Sequence, residues 1–291
     1  MSRIAYVNGR YLPQNSAKVS VEDRGYQFAD GVYEVCEVRG GRLIDERRHM
    51  ARLDRSLGEL RMRRPMSPAA LGVVMRETIR RNRVRDGIVY VQVTRGTARR
   101  DFPFPAAETR PSLIVTARSS DIERLEQLAA EGIAVITVPD MRWQRVDIKS
   151  VALLPNVLAK QVARDQGARE AWLTDPQGRV TEGASSNAWI VSRDGKLVTH
   201  PLGSDILAGV TRSVVIDVIK QQGLAFEERA FTVEEAYAAR EAFITSASQI
   251  VLPVVTINGQ PVGNGAPGLI ATGLRRDYHR YAEGSPVNPA V

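Results

Sequence analysis

Asp147-Ile148-Lys149-Ser150, read together with Val180-Thr181-Glu182-Gly183-Ala184-Ser185-Ser186-Asn187, decides how this sequence folds and what it can do. A single lysine stands just ahead of a stretch with helical apolar spacing. A glutamate follows at a strand-to-loop junction, backed by glycine, serine and asparagine. A lysine amine forms a Schiff base with an aldehyde, and a carboxylate holds a pyridine nitrogen; an aldehyde cofactor such as pyridoxal phosphate needs both. Neither residue carries the inference alone, because lysine is ordinarily solvated and Glu-Gly ordinarily marks a turn.

The 291 residues are enough for one large domain or two of ordinary size. With 43% hydrophobic and 25% charged residues, the composition is that of a soluble protein with a substantial core. No apolar run reaches the length of a membrane span, so no membrane partner is expected. Met1-Ser2-Arg3-Ile4-Ala5-Tyr6 lacks the pattern of a signal peptide. A single cysteine, Cys36, rules out an internal disulfide and fits the cytoplasm. His49, His200 and His279 lie far apart, with no metal-ligand spacing, so no metal is expected. The net charge of +7 raises the question of nucleic acid. The basic residues are mostly arginines scattered among Asp and Glu, and no RNA-binding or zinc-finger signature occurs, so a solvated face is the better reading and no nucleic-acid partner is expected. A basic surface still favours anionic substrates.

Asn8-Gly9 between apolar residues predicts a hairpin over residues 4–12, and Gly40-Gly41 predicts another between Val32–Val38 and Arg42–Ile44. Asp45 is placed to cap a helix carrying Met50, Leu53, Leu57 and Leu60; Ser67-Pro68 opens a second, with Leu71, Val74, Met75 and Ile79 inward. Strands are predicted at 88–95 and 113–117, separated by a long loop, 96–110, that holds Arg99, Arg100, Phe102 and Phe104; loops of that length are often functional. The polar connector from Arg118 to Arg124 gives a domain boundary, with 1–118 as an N-terminal α+β domain and 119–291 as a C-terminal cofactor-binding domain. A helix is expected over 151–166, strands at 133–138, 170–174, 179–181, 187–192, 196–199, 242–246 and 251–257, and helices over 211–222 and 268–281. The tail from Glu283 is expected to be loose. Strands and helices mix without regular alternation, which favours an α+β fold over a doubly wound sheet.

Leu207-Ala208-Gly209-Val210-Thr211-Arg212 places a glycine and a threonine at a helix start, where free N–H groups and the dipole favour an anion; an ordinary threonine cap is the competing reading. Thr245-Ser246-Ala247-Ser248 is a second small-residue turn after a strand. Arg52 neighbours Leu53 on its helix and is a candidate to point inward. Tyr26, Phe28, Tyr33 and Glu34 gather around Asp30-Gly31, as a site wall or as an aromatic core corner.

Together these stretches resemble one family. Arg24-Gly25-Tyr26-Gln27-Phe28-Ala29-Asp30-Gly31-Val32-Tyr33-Glu34-Val35 is similar to the N-terminal signature of D-amino-acid aminotransferases of the fold-type IV pyridoxal-phosphate family. Val93–Thr97, Asp147–Ser150, Leu158–Gln161, Val180–Gly183, Ser185–Asn187 and Gly209–Arg212 match in the expected order over nearly the whole chain.

The resemblance implies a small N-terminal α+β domain, a larger domain with a barrel-like sheet, and pyridoxal 5'-phosphate between them. It implies that Lys149 bonds the cofactor aldehyde and shuttles a proton, and that Glu182 holds the pyridine nitrogen protonated. Arg52 would bind the phosphate, with Val210, Thr211 and the backbone N–H of Ala247 adding donors, and Leu207 would pack on the ring. Tyr33 would line the substrate site, and Arg100 would reach the α-carboxylate in the active site of a partner in a homodimer. The implied activity is ping-pong transamination between a D-alanine-like amino acid and a 2-oxo acid such as 2-oxoglutarate or pyruvate.

The sequence departs from the family at Phe102, where well-known members have a histidine that shares the carboxylate. One guanidinium still binds a carboxylate bidentately, and Arg99 is a further candidate; an apolar ring would also tolerate an amine without a carboxylate. The alternatives are therefore an (R)-selective amine or branched-chain transaminase, and after them a lyase of the aminodeoxychorismate kind.

Overall fold

The computed structural model describes residues 3–287. Two compact units emerge. The first comprises residues up to Asp121, the short segment Ile148–Ala152 and the chain from Glu283; the second comprises Ile122–Asp147 and Leu153–Ala282.

In the first unit, β1 (Ile4–Val7) and β2 (Arg10–Pro13) form the hairpin predicted at Asn8-Gly9, with both turn residues at positive φ. A short helix α1 (Arg24–Phe28) leads into β3 (Gly31–Arg39) and β4 (Arg42–Ile44). Helices α2 (Glu46–Glu59) and α3 (Pro68–Arg81) follow, then β5 (Gly87–Thr94) and β6 (Ser112–Ser119). With the late strand Gly284–Pro286 at one edge, these strands form an antiparallel seven-stranded sheet. The period of two along β3 buries Val32, Glu34, Cys36 and Val38 on one face and leaves Tyr33, Val35 and Glu37 half-buried on the other. Leu53, Leu57, Leu71, Met75 and Ile79 of the helices pack with Val32, Cys36, Val89 and Val91 of the sheet. Each fully buried aliphatic side chain contributes roughly 1.5–3 kcal/mol.

The second unit opens with α4 (Ile122–Glu131) and β7 (Ile133–Pro139), then α5 (Leu154–Asp165), β8 (Glu170–Thr174), β9 (Arg179–Gly183), β10 (Asn187–Val191) and β11 (Leu197–Thr199). It continues with α6 (Val210–Gln221), β12 (Phe226–Glu228), β13 (Phe231–Thr232), α7 (Val233–Tyr237), β14 (Glu241–Ser246), β15 (Ile250–Ile257), β16 (Gln260–Pro261) and α8 (Leu269–Tyr281). Its strands form one mixed ten-stranded sheet, in which β7 pairs parallel with both β8 and β15. This is the sheet expected to be barrel-like, and the whole is α+β.

Several local expectations need correction. Ser67 does cap α3, accepting from the Ala70 N–H. Asp45 precedes α2 but sits at φ 52 and makes no cap bond; its carboxylate accepts from the Glu283 N–H instead. The residues around Arg118–Arg124 are not all connector, since α4 begins at Ile122. The helix expected from Val151 starts at Leu154, because the Val151 N–H is already taken by the Gly31 carbonyl. The chain from Glu283 is not loose over Gly284–Pro286, which pairs with β4; residues 288–291 of that tail, and Met1-Ser2 of the N-terminal stretch, lie outside the described residues. Among the described residues no helix is long and apolar enough to cross a membrane, and no cluster of His, Cys, Asp and Glu could hold a metal.

Candidate active site

In the first unit, Lys149 is set by its backbone. Its carbonyl accepts from Tyr33 N at 3.0 Å, its N–H donates to Ser56 Oγ at 3.3 Å, and Ser150 bridges Val32. The strand thereby fixes the side chain, whose Nζ lies 4.3 Å from the Tyr33 ring centroid. Tyr33 stacks on Tyr90, which donates to Gln92 Oε1 at 2.7 Å. Burial, with the neighbouring Tyr33, pushes the Tyr90 hydroxyl up to about 12. The amine therefore lies against Tyr33, whose ring is backed in turn by Tyr90 and Gln92.

On the opposite face, Glu34 is fully buried and receives Arg52 through Nε at 2.7 Å and Nη2 at 2.8 Å, with His49 Nδ1 at 2.8 Å. His49 and Arg52 stand three apart on α2 and so share a helix face. Burial works against the Glu34 charge, but Arg52 and His49 more than offset it, and the carboxyl stays well below the usual carboxylate range. Because the folded pKa is depressed, the stabilisation from this group is complete above its ordinary value of 4.5 and is lost as pH falls through the folded value. Glu34→Gln is expected to cost about 3–5 kcal/mol, the usual result of breaking one partner out of a buried pair. It should also flatten the acid limb of a stability–pH profile measured by urea unfolding. An unchanged profile would discard this account.

The loop from Gly96 to Arg110 is largely exposed. Arg100 lies over the Phe28 ring at 4.6 Å, and Phe102, 83% exposed, packs on the same ring at 5.6 Å. The loop therefore gathers Arg100 and Phe102 around Phe28, while the ring against Lys149 is that of Tyr33.

In the second unit, Glu182 lies in β9, one residue before its end, with only 6% of its side chain exposed. It forms an ion pair with Arg142 through Oε1, and its Oε2 accepts from Asn187 Nδ2 at 2.9 Å and Leu207 N at 3.1 Å. Arg142 also holds Asp140 at 2.7 Å, and Asp140 accepts from Thr181 Oγ1. Asn187 is the hub: the same amide donates to the Leu207 carbonyl. Its Oδ1 approaches Gly209 so closely that a Cβ there would stand 2.0 Å away, which is why the helix is preceded by glycine. Gly209 is the N-cap of α6 and supplies no side-chain cap, so Val210 and Thr211 open a helix whose first turn no side chain caps. Asn187 pairs across the sheet with Thr245, beside Ser246 and Ala247. Ser246 Oγ is buried with no hydrogen-bond partner among the described residues. The structure thus brings together Glu182, Leu207, Val210, Thr211 and the Thr245–Ala247 turn. Glu170 braces the intervening turn, accepting from Ser185 Oγ at 2.6 Å and Ser186 Oγ at 3.2 Å.

The sequence reading missed roles for Arg142, Asn187, His49 and Tyr90. One signal was available. A glutamate in register with Val32, Cys36 and Val38 must face the core and therefore needs a cation.

The first unit offers a lysine held by β3, and the second a buried carboxylate and a helix start without a side-chain cap, groups that chemistry through a bound aldehyde can use. The profile of the Amino-transferase class IV family matches residues 31–257, and the chain belongs to that family. It is 40% identical over 278 residues to the D-alanine aminotransferase of Staphylococcus haemolyticus, covering 96% of this chain and 97% of that one. It is 43% identical over 261 residues to the D-alanine aminotransferase of Bacillus licheniformis, covering 90% of each. Among solved structures, a T.th. branched-chain amino acid aminotransferase with pyridoxamine 5'-phosphate superposes with a TM-score of 0.88 at 27% identity, covering 99% of each chain. The branched-chain amino acid aminotransferase of Escherichia coli superposes with a TM-score of 0.89 over 99% of this chain and 100% of its own; at 23% identity it speaks for the fold alone. The architecture is that of the fold-type IV enzymes.

Proposed function

We propose that this chain is a pyridoxal-phosphate-dependent aminotransferase that moves the amino group of D-amino acids, D-alanine among them, to 2-oxo acids such as 2-oxoglutarate or pyruvate. What supports this most is the likeness, along almost the full chain, to D-alanine aminotransferases. The donor set suits the cofactor. Lys149 offers an amine, Glu182 an anionic acceptor, and the uncapped start of α6 and the partnerless Ser246 hydroxyl offer donors for a phosphate.

Bound pyridoxal phosphate supplies an aldehyde that takes the amino group and a ring that withdraws electrons from the substrate α-carbon. Lys149 Nζ would hold the aldehyde and would move the proton between the α-carbon and the cofactor. The Glu182 carboxylate, paired with Arg142 and hydrogen-bonded by Asn187, would hold the ring nitrogen protonated, and Leu207 would pack on the ring. Arg52, locked by Glu34, binds the phosphate with the N–H groups of Val210, Thr211 and Ala247. Tyr33 lines the substrate site, and Arg100 takes the α-carboxylate. The working unit is a homodimer in which the Arg100 loop reaches the partner's active site. The exposed Phe102 and the exposed apolar residues Leu154, Val157, Leu158 and Val162 of α5 support self-association.

The exposed apolar ring of Phe102 beside Arg100 favours a second reading, acceptance of (R)-amines that carry no carboxylate. A donor panel separates the readings. D-alanine should bleach the visible band of the bound cofactor, and 2-oxoglutarate should restore it, while L-leucine does neither. Bleaching by L-leucine but not D-alanine would overturn the proposal. Equal turnover of (R)-1-phenylethylamine would favour the second reading.

A further inference from the structure

Arg24 is buried, with 4% of its side chain exposed. It stands at the start of α1. Its Nε donates to Asp30 Oδ2 at 2.8 Å. Its Nη1 donates to the Asp101 carbonyl at 2.6 Å and its Nη2 to the Phe102 carbonyl at 3.3 Å. A second arginine shares the same carboxylate: Arg95 Nε donates to Asp30 Oδ2 at 2.7 Å. Arg95 in turn donates to the Leu60 carbonyl at 2.8 Å, and its guanidinium lies 3.7 Å from the Phe104 ring centroid. One partly buried carboxylate therefore anchors two cations, and both cations hold the long loop: Arg24 at the residues directly after Arg100, Arg95 at Phe104. Phe28 lies between the two guanidinium groups, 4.7 Å from that of Arg24 and 4.6 Å from that of Arg100.

A loop this exposed has few apolar contacts to order it, so its geometry rests on polar anchors. The planar fork of arginine is suited to bridging a carboxylate and two carbonyls at once, and lysine is not. The donors of Arg24 already address Asp30 and the loop backbone, so its task is to hold the loop.

We propose that Arg24, braced by Asp30, is a positioning residue for carboxylate recognition: it fixes the 99–102 segment so that Arg100 is presented in one geometry to the substrate. This rests on the reading of Arg100 as the carboxylate-binding residue. It predicts that loss of Arg24 weakens substrate binding while leaving the chemical step intact, because the Lys149 and Glu182 assemblies share no bond with it.

The test uses the full chain loaded with pyridoxal phosphate, as wild type, Arg24→Ala, Arg24→Lys and Arg100→Ala. Steady-state rates with D-alanine and 2-oxoglutarate should show KM for D-alanine raised about tenfold or more in Arg24→Ala, with kcat within about threefold of wild type. Arg24→Lys should fall between the two. Trypsin cleavage after Arg99 and Arg100, followed by mass spectrometry, should be faster in both Arg24 variants. If Arg24→Ala does not fold, the Arg24→Lys KM and cleavage rate decide alone. An unchanged KM, or a fall in kcat without a rise in KM, would overturn the inference even if cleavage accelerates. If Arg100→Ala itself leaves KM unchanged, the reading of Arg100 fails and the inference falls with it. If Arg100→Ala raises KM and neither Arg24 variant does, only the inference fails.

Discussion

Lys149→Ala is expected to abolish amino-group transfer from D-alanine, lowering kcat by about four orders of magnitude or more, the upper range for loss of a positioned proton-transfer group. The protein should still fold. The bonds that hold this segment run through the backbone of residue 149, to Tyr33 N and Ser56 Oγ, and survive truncation. What truncation removes is the cation over Tyr33, worth about 0.5–2 kcal/mol. Lys149→Arg separates the two effects, since it keeps a cation over the ring but offers no amine able to bond an aldehyde. Both variants should be inactive, with Lys149→Arg the more stable to heat. Near-normal turnover in either would remove Lys149 from the reaction. The Ala variant also reads the quaternary proposal. Mixed with Arg100→Ala protein, it should regain activity through hybrid dimers that own one intact site. No recovery after subunit exchange would place the action of Arg100 within its own chain.

Glu182→Ala carries the second large effect, on two observables at once. Arg142 is 5% exposed and shares its charge between Glu182 and Asp140. Removing one anion leaves a buried guanidinium under-compensated, at a cost of about 3–5 kcal/mol. Burial alone would lower the pKa of Arg142, but Asp140 and Glu182 outweigh it in the intact protein; in the variant a guanidinium does not relieve the loss by shedding its proton, since arginine is protonated at all ordinary pH. On the proposed role of Glu182 as partner of the ring nitrogen, loss of its negative charge should reduce kcat on the order of 10²- to 10³-fold, as for other preorganised electrostatic groups. Glu182→Gln keeps the shape and one carbonyl acceptor for Asn187 or the Leu207 N–H. It should recover part of the thermal stability and little of the rate. If instead Gln restored turnover, the charge of Glu182 would not be what the reaction uses.

The parts of the fold that could be read from sequence were those specified locally. Asn8-Gly9 dictates its turn through the two φ values it tolerates, and Ser67 finds its partner three residues away. The failures were long-range. Asp45 has a cap residue's identity, yet its carboxylate bonds Glu283, far along the chain. Val151 and Ala152 continue the helical apolar spacing, but Val151 donates to the Gly31 carbonyl and Ala152 to the Ser150 hydroxyl. Helix α4 has a single buried residue, Ala129, so its inward stripe is faint. The site divides the same way. Lys149 and Glu182 stand in motifs whose order along the chain is informative. Arg142 acquires meaning only when β9 brings Glu182 against it from forty residues on. His49 and Arg52 acquire theirs only when β3 presents Glu34 to α2.

The segment Ile148–Ala152 carries a consequence for how this enzyme can be taken apart. The chain passes from one unit to the other after Asp121, after Asp147, after Ala152 and after Ala282. Lys149, the proposed catalytic lysine, belongs by packing to the first unit, but by sequence it is embedded in the second. A gene cut near residue 120 would therefore yield an amino-terminal fragment without Lys149 and without the strand Gly284–Pro286 that covers one sheet edge. Neither piece is a heritable module. Recombination with a related gene must exchange the two units together or replace three separate stretches in concert.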